Sequence, residues 1–154
     1  MLAHAGILAH PLLYLSLFLR EHRDEYYRLL GQVRTDGDWE AWVDFFLEGV
    51  EQTAGGAVET ANRLLELMRA DRVRVAALRR SAGAASRVFS VLCERPIASV
   101  GDAASRLGVS VPTATRGIEA LARLGIVSEI TGRQRSRLYA YDEYLSILTR
   151  APAV

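Results

Sequence analysis

Three arginines at alternate positions, Arg133, Arg135 and Arg137, fall in and beside the polar segment Thr131-Gly-Arg-Gln-Arg-Ser136. A guanidinium is a planar fork of donors that matches a phosphate or the edge of a guanine. On a two-stranded ribbon, such side chains reach a nucleic-acid backbone or a minor groove. Upstream, Ser110, Val111, Thr113, Thr115 and Arg116 occupy the start of a predicted helix. Exposed early residues of such a helix face bases or phosphates, and Ser110 with the helix N-terminus suits a phosphate. Val111 is apolar where a reader of bases would gain from a polar side chain, and Arg123 reads as a solvated charge.

Nothing comparable points to catalysis. The sequence contains no P-loop, no dinucleotide fingerprint and no nucleophile elbow. The neighbouring acids Asp36 and Asp38 lie at a turn and a helix cap, where structure explains them. His4, His10 and His22 have no motif around them. The one cysteine, Cys93, forms neither an intrachain disulfide nor part of a zinc cluster. It closes an apolar stretch and reads as a buried structural thiol. The expectation is a chain with no catalytic residue, no metal and no cofactor.

Positioning these arginines requires a folded domain, and the composition permits one. Half of the 154 residues are hydrophobic and 24% are charged, which is globular composition. All 19 basic residues are arginine, against 18 acids, for a net charge of +1. The charge is uneven: residues 1–80 hold 10 arginines and 12 acids, net −2, and residues 81–154 hold 9 and 6, net +3. That asymmetry suggests division of labour.

The N-terminal apolar run from Ile7 to Leu19 is interrupted by His10, Pro11 and Ser16 and ended by Arg20. It falls short of the ~20 apolar residues of a membrane span, and no basic residue precedes it as in a signal peptide. It reads as a buried helix, with Pro11 in the first turn. No membrane partner is expected, and the lone thiol suits a reducing cytoplasm. Asp24 is the expected cap of a second helix holding Tyr26, Tyr27, Leu29, Leu30 and Val33. Asp36-Gly37 signals a turn and Asp38 an N-cap. Behind it Trp39, Trp42, Val43, Phe46 and Val50 recur at helical spacing, and the pattern continues to Leu78, with Gly55-Gly56 as a candidate break. This long segment suits a dimer seam, without clean heptads. The small, polar run 81–86 is the expected linker between residues 1–80 and a second domain, 87–150.

In that second domain, Val88, Phe89 and Leu92 share a helix face that Pro96 ends. Ser99 and Asp102 form a capping box, Gly108 a C-cap, and Ser110 with Pro112 the start of the third helix. Ala114, Ile118, Leu121 and Leu124 face inward, and Gly125 ends that helix. A helix, a short turn with Gly and a second helix make a helix-turn-helix. Strands over 126–130 and 137–141 then form a wing around the basic tip, and Asp142 caps a last helix. The fold class is therefore mainly α: a helical N-terminal segment followed by a winged helix-turn-helix at about residues 84–141, with a short β-hairpin wing.

The first half also resembles a known family. Pro11-Leu-Leu-Tyr-Leu-Ser16, Tyr26-Tyr-Arg-Leu-Leu30, Gly37-Asp-Trp-Glu-Ala-Trp42 and Phe45-Phe-Leu-Glu-Gly-Val50 are similar to the helices that follow the catalytic loop of Fic-family proteins, and many bacterial members then carry a winged helix. The resemblance covers nearly the whole chain. It implies transfer of AMP from ATP to a protein hydroxyl, through a loop H-x-F-x-[DE]-G-N-G-R that holds a general base, a Mg²⁺ ligand and phosphates. This sequence has no such loop: His10-Pro11 is followed by Leu12, Leu13, Tyr14, Leu15 and Ser16. The family's inhibitory motif is absent too, since Ser90 and Glu94 are followed by Arg95. On the family's order of elements Met1 falls within the helix after the loop, as in a truncated gene or one piece of a split protein. The winged helix and its arginines, taken with the resemblance and the missing loop, lead to the expectation of a non-catalytic, Fic-derived protein whose winged helix binds double-stranded DNA, with a homodimer as one assembly. The alternatives are a fragment completed by a separately encoded Fic catalytic segment, and a protein–protein interaction module.

Overall fold

The computed structural model describes residues 15–79, 81–133 and 135–150. The described residues form two compact units, the first running up to Ala61 and the second Asn62–Thr149. The helix start expected at His10–Pro11 lies outside the described residues, as does His4.

The first unit is helical: α1 (Leu15–Glu21), α2 (Arg23–Asp36) and the first part of α3 (Trp39–Ala76). Its core is Phe18, Leu29 and Phe45. Gly49 admits the Phe18 ring, because a Cβ there would fall 2.5 Å from Phe18 Cδ1. His22 stacks on that ring at 4.3 Å, and its Nδ1 donates to the Phe18 carbonyl at 3.0 Å. Gly37 ends α2 at φ +71°, and Asp38 Oδ1 accepts from the Ala41 N–H at 3.3 Å, so the expected turn and cap are present. Asp24 does not cap α2. The N-cap position falls to His22 and Asp24 sits in the first turn, where its charge still favours the helix dipole.

Two expectations for α3 need correction. Gly55-Gly56 does not break it, because ~1 kcal/mol per glycine does not outweigh the helix formers on both sides. The predicted apolar face also divides. Trp42, Phe46 and Val50 are half-buried, with Trp42 and Phe46 stacked at 5.4 Å. Trp39 and Leu47 are more than half exposed, and Val43 is exposed too.

The second unit begins with the remainder of α3. It continues through α4 (Ala82–Glu94), β1 (Ile97–Ser99), α5 (Val100–Leu107), α6 (Val111–Arg123), β2 (Val127–Glu129), β3 (Leu138–Tyr141) and α7 (Asp142–Thr149). The strands form an antiparallel sheet in the order β1-β3-β2, with Ile97 opposite Ala140 and Val127 opposite Tyr141. This is a winged helix-turn-helix whose wing is β2–β3. Both wing strands are shorter than the sequence suggests, since Ile126, Ile130 and Arg137 lie outside them. The partner strand β1 was not legible, because three residues after a proline carry no periodicity and only pairing with β3 defines them.

The second unit's core joins Val88, Phe89 and Leu92 of α4 to Ala114, Ile118 and Leu121 of α6 and to Val127 and Tyr141 of the sheet. Each large aliphatic or aromatic side chain buried here stabilises by roughly 1.5–3 kcal/mol. The run 81–86 is not a linker. Residues 82–86 are the first turns of α4, with Ala85 fully buried. Their small size has a packing cause: α4 and α6 approach so closely that a Cβ on Gly117 would lie 2.6 Å from Val88 Cγ2 and 2.8 Å from the Ala84 carbonyl. Cys93 is half-buried, and desolvation raises its thiol pKa, which suits the structural role expected of it.

One buried acid organises the end of α3. Asp71, only 3% exposed, accepts from the Tyr141 hydroxyl at 2.7 Å and from Arg74 at 2.6 Å. Burial first, and then the bond to Asp71, push the Tyr141 pKa well above its ordinary value. The hydroxyl therefore stays a donor. Tyr141→Phe should leave a buried carboxylate oxygen without its donor and cost about 1–3 kcal/mol. Urea unfolding checks this, and an unchanged midpoint would show that the hydrogen bond contributes nothing.

Candidate nucleic-acid interface

The helix-turn-helix is built from local signals. In α5 the Ser99 hydroxyl accepts from the Asp102 N–H at 3.0 Å, and the Asp102 carboxylate accepts from the Ser99 N–H at 3.2 Å, which closes the expected capping box. The Ser99 hydroxyl also donates to the Asp102 carboxylate at 2.7 Å, and that bond first, then the one from the Ser99 N–H, holds the Asp102 carboxyl below its usual pKa. Gly108 takes φ +59° at the C-cap, a conformation cheap only without a Cβ. Two arginines close helix ends from outside. Arg87 of α4 donates to the Leu107 carbonyl at 2.7 Å, and Arg74 donates to the Leu124 carbonyl. Both satisfy carbonyls that lack an intrahelical partner, so neither guanidinium is wholly free for a ligand.

The structure places Ser110 at the N-cap of α6, but its side chain does not cap the backbone. Its hydroxyl pairs with that of Thr113 at 2.9 Å. Pro112 has no N–H, and the Thr113 N–H is taken by the Ser110 carbonyl at 2.9 Å. The tip of α6 thus offers fewer donors to a phosphate than the sequence reading expected. Thr115 is half-buried and gives its hydroxyl proton to the Val111 carbonyl at 2.9 Å, which leaves only lone pairs for a ligand. Arg116 is exposed. Its Nε donates to the Pro112 carbonyl at 3.3 Å, and among the described residues its guanidinium makes no side-chain ion pair. Val111 is 57% exposed, an apolar group available to a thymine methyl.

Sequence reasoning set part of this face aside, taking Arg123 as a solvated charge and not weighing Glu119. Glu119 and Arg123 are exposed, and both border an open depression of about 540 Å³ with Ser81, Ala84, Thr113 and Arg116. Helical spacing from Arg116 was the available signal: positions 116, 119 and 123 fall on one side of a helix whose buried side carries Ala114, Gly117, Ile118 and Leu121.

The wing departs from the alternating pattern expected of its arginines. Arg133, Arg135 and Arg137 all lie in the loop between β2 and β3 and all are exposed. Arg137 is tied down, its Nε donating to the Arg133 carbonyl at 2.8 Å. Arg133 and Arg135 make no side-chain ion pair among the described residues. The loop is shaped by positive φ at Gly132 and Ser136 and by Glu129. That carboxylate accepts from the Thr131 hydroxyl, from the Thr131 N–H at 2.8 Å and from the Gly132 N–H at 3.0 Å.

Among the described residues no three His, Cys, Asp or Glu side chains gather to hold a metal ion, and no helix is long and apolar enough to cross a membrane. What the arrangement offers is an exposed helix face with two arginines and one acid, beside a loop with three arginines. Compared with models of known protein families, the chain matches none.

The hydrogen bond from Thr131, largest of the causes, holds the Glu129 carboxyl below its ordinary pKa. A depressed carboxyl stabilises the turn above the unfolded value of ~4.3 and loses that contribution as pH falls through the lower folded value. The amide resonance of Gly132 should therefore titrate in acid with a midpoint below that ordinary value. A midpoint at or above it would mean that the turn is not held by this carboxylate.

Proposed function

We propose that this chain is a non-catalytic DNA-binding protein whose winged helix-turn-helix docks on duplex DNA, with α6 in the major groove and the wing loop on the backbone or in the adjacent minor groove. The observation that carries the reading is the co-exposure of Arg116 and Arg123 on α6 with Arg133 and Arg135 in the wing loop. A helix of this kind fits a major groove ~12 Å wide, and exposed guanidinium groups that keep most of their donors suit phosphate and guanine. Regulation of transcription in a cytoplasmic setting is the role this reading favours. The resemblance to the segment of Fic proteins beyond their catalytic loop supplies an origin for this stretch of chain, and the residues given contain no catalytic motif of that family.

The direct experiment is fluorescence anisotropy with mixed-sequence duplex DNA between roughly 50 and 200 mM salt, where affinity should fall steeply. Arg133→Ala with Arg135→Ala should weaken binding to all sequences alike and reduce the salt slope by up to about two. A double variant that binds like the parent would remove the wing from the interface.

A second feature favours a protein partner in addition. In the first unit Trp39, Val43 and Leu47 recur every fourth residue on α3 and remain exposed, which is how an unpaired helix face reads. A homodimer is the partner we favour, since it would present two winged helices to half-sites ~34 Å apart. A separately encoded Fic catalytic segment is the alternative occupant of the same face. Light scattering at low micromolar concentration should give twice the 17.0 kDa chain mass. A monomeric mass would leave the face to a different protein.

A further inference from the structure

A carboxylate stands in the middle of the face that would enter the groove. Glu119 is exposed, three residues after Arg116 and four before Arg123, and it borders the same depression as both. An acid here opposes approach to a polyanion. Among the described residues it has no side-chain ion pair, those present being Arg28–Glu25 and Arg74–Asp71. Nearby acids have structural work instead. Asp102 closes the capping box of α5, Glu129 holds the wing turn, Asp142 accepts from Ser128 at 2.9 Å, and Asp71 is buried against Tyr141.

We propose that Glu119 is a specificity-determining residue that accepts a hydrogen bond from the exocyclic amino group of a cytosine in the major groove, while Arg116 takes a guanine at a neighbouring base pair. This rests on the DNA-binding reading above. An ionised carboxylate only accepts hydrogen bonds. The major-groove donors are the N4 amino group of cytosine and the N6 amino group of adenine, and adenine sets its N7 acceptor beside that donor, where it repels a carboxylate. Cytosine presents the donor without that acceptor. Arg116 has already committed Nε to the Pro112 carbonyl, and its two terminal nitrogens can fork onto guanine O6 and N7. Three residues of helix rise ~4.5 Å, close to the ~3.4 Å spacing of successive bases. One helix face therefore addresses two adjacent base pairs with an acceptor and a donor fork.

The test uses the full chain and a site selected from a randomised duplex library, followed by anisotropy on duplexes changed at one position at a time. The wild type should discriminate for cytosine at one position by on the order of tenfold. Glu119→Gln should move that preference to adenine, because an amide matches adenine N6 and N7 together. Arg116→Ala should relax the neighbouring guanine and leave the cytosine preference in place. Circular dichroism controls for folding of each variant. A Glu119→Gln chain that keeps the parental preference and binds every sequence more tightly overturns the proposal, since Glu119 would then only repel phosphate, and DNA binding itself would stand. Absence of salt-dependent binding by the wild type overturns the DNA reading, and the role of Glu119 with it.

Discussion

A carboxylate removed from water must be supplied with donors, and in the second unit that requirement falls on Asp71. The side chain is buried near the end of α3, so its charge is costly unless hydrogen bonds and a cation replace its hydration. Tyr141 supplies one bond from the middle of the core, and Arg74 supplies another from the edge. Arg74 goes on to the Leu124 carbonyl, just beyond α6. One acid thereby fixes three things: the last turns of α3, the C-terminal end of the helix that carries the exposed arginines, and the strand at the centre of the sheet. Hydrophobic burial supplies most of the stabilisation of this unit. The buried acid adds directional bonds that tie α3 to β3 and, through Arg74, to the end of α6.

Arginine usage follows the same logic on the surface. Arg74 and Arg87 complete helix ends, Arg28 pairs with Glu25, and Arg137 braces the wing loop. Arg116, Arg123, Arg133 and Arg135 keep most of their donors. The functional reading rests on these four rather than on the net charge, which is close to neutral.

Local chemistry made much of the second unit legible. The capping box at Ser99 and Asp102, the glycine at position 108, and the inward series Ala114, Ile118 and Leu121 are short-range signals that tertiary structure did not override. Features that depend on partners were not legible. Strand β1 exists only through pairing with β3. The small residues 82–86 looked like a linker because small side chains serve both loops and close helix seams, and only the proximity of Gly117 tells them apart. At the candidate site, Ser110, Thr113 and Arg116 could be chosen from sequence, but the internal use of the hydroxyls and of Nε could not. Glu119 was passed over because an acid conflicts with the expectation of a basic face. In the first unit, the helical period of Trp39 to Val50 was clear, yet the same period describes a core face and an unpaired one, and the structure divides it between them.

The seam between α4 and α6 has a consequence for how such a protein can diverge. Ala84 is at once the residue whose carbonyl crowds Gly117 and part of the lining of the depression shared by Thr113, Arg116, Glu119 and Arg123. A side chain entering at position 117 meets Val88 and the Ala84 backbone with no space to yield in place, so α6 must tilt or slide and carry its outer residues with it. Drift at a position that touches no ligand is thereby converted into drift of the reading head. A lineage could change what this helix recognises without exchanging any residue on its exposed surface.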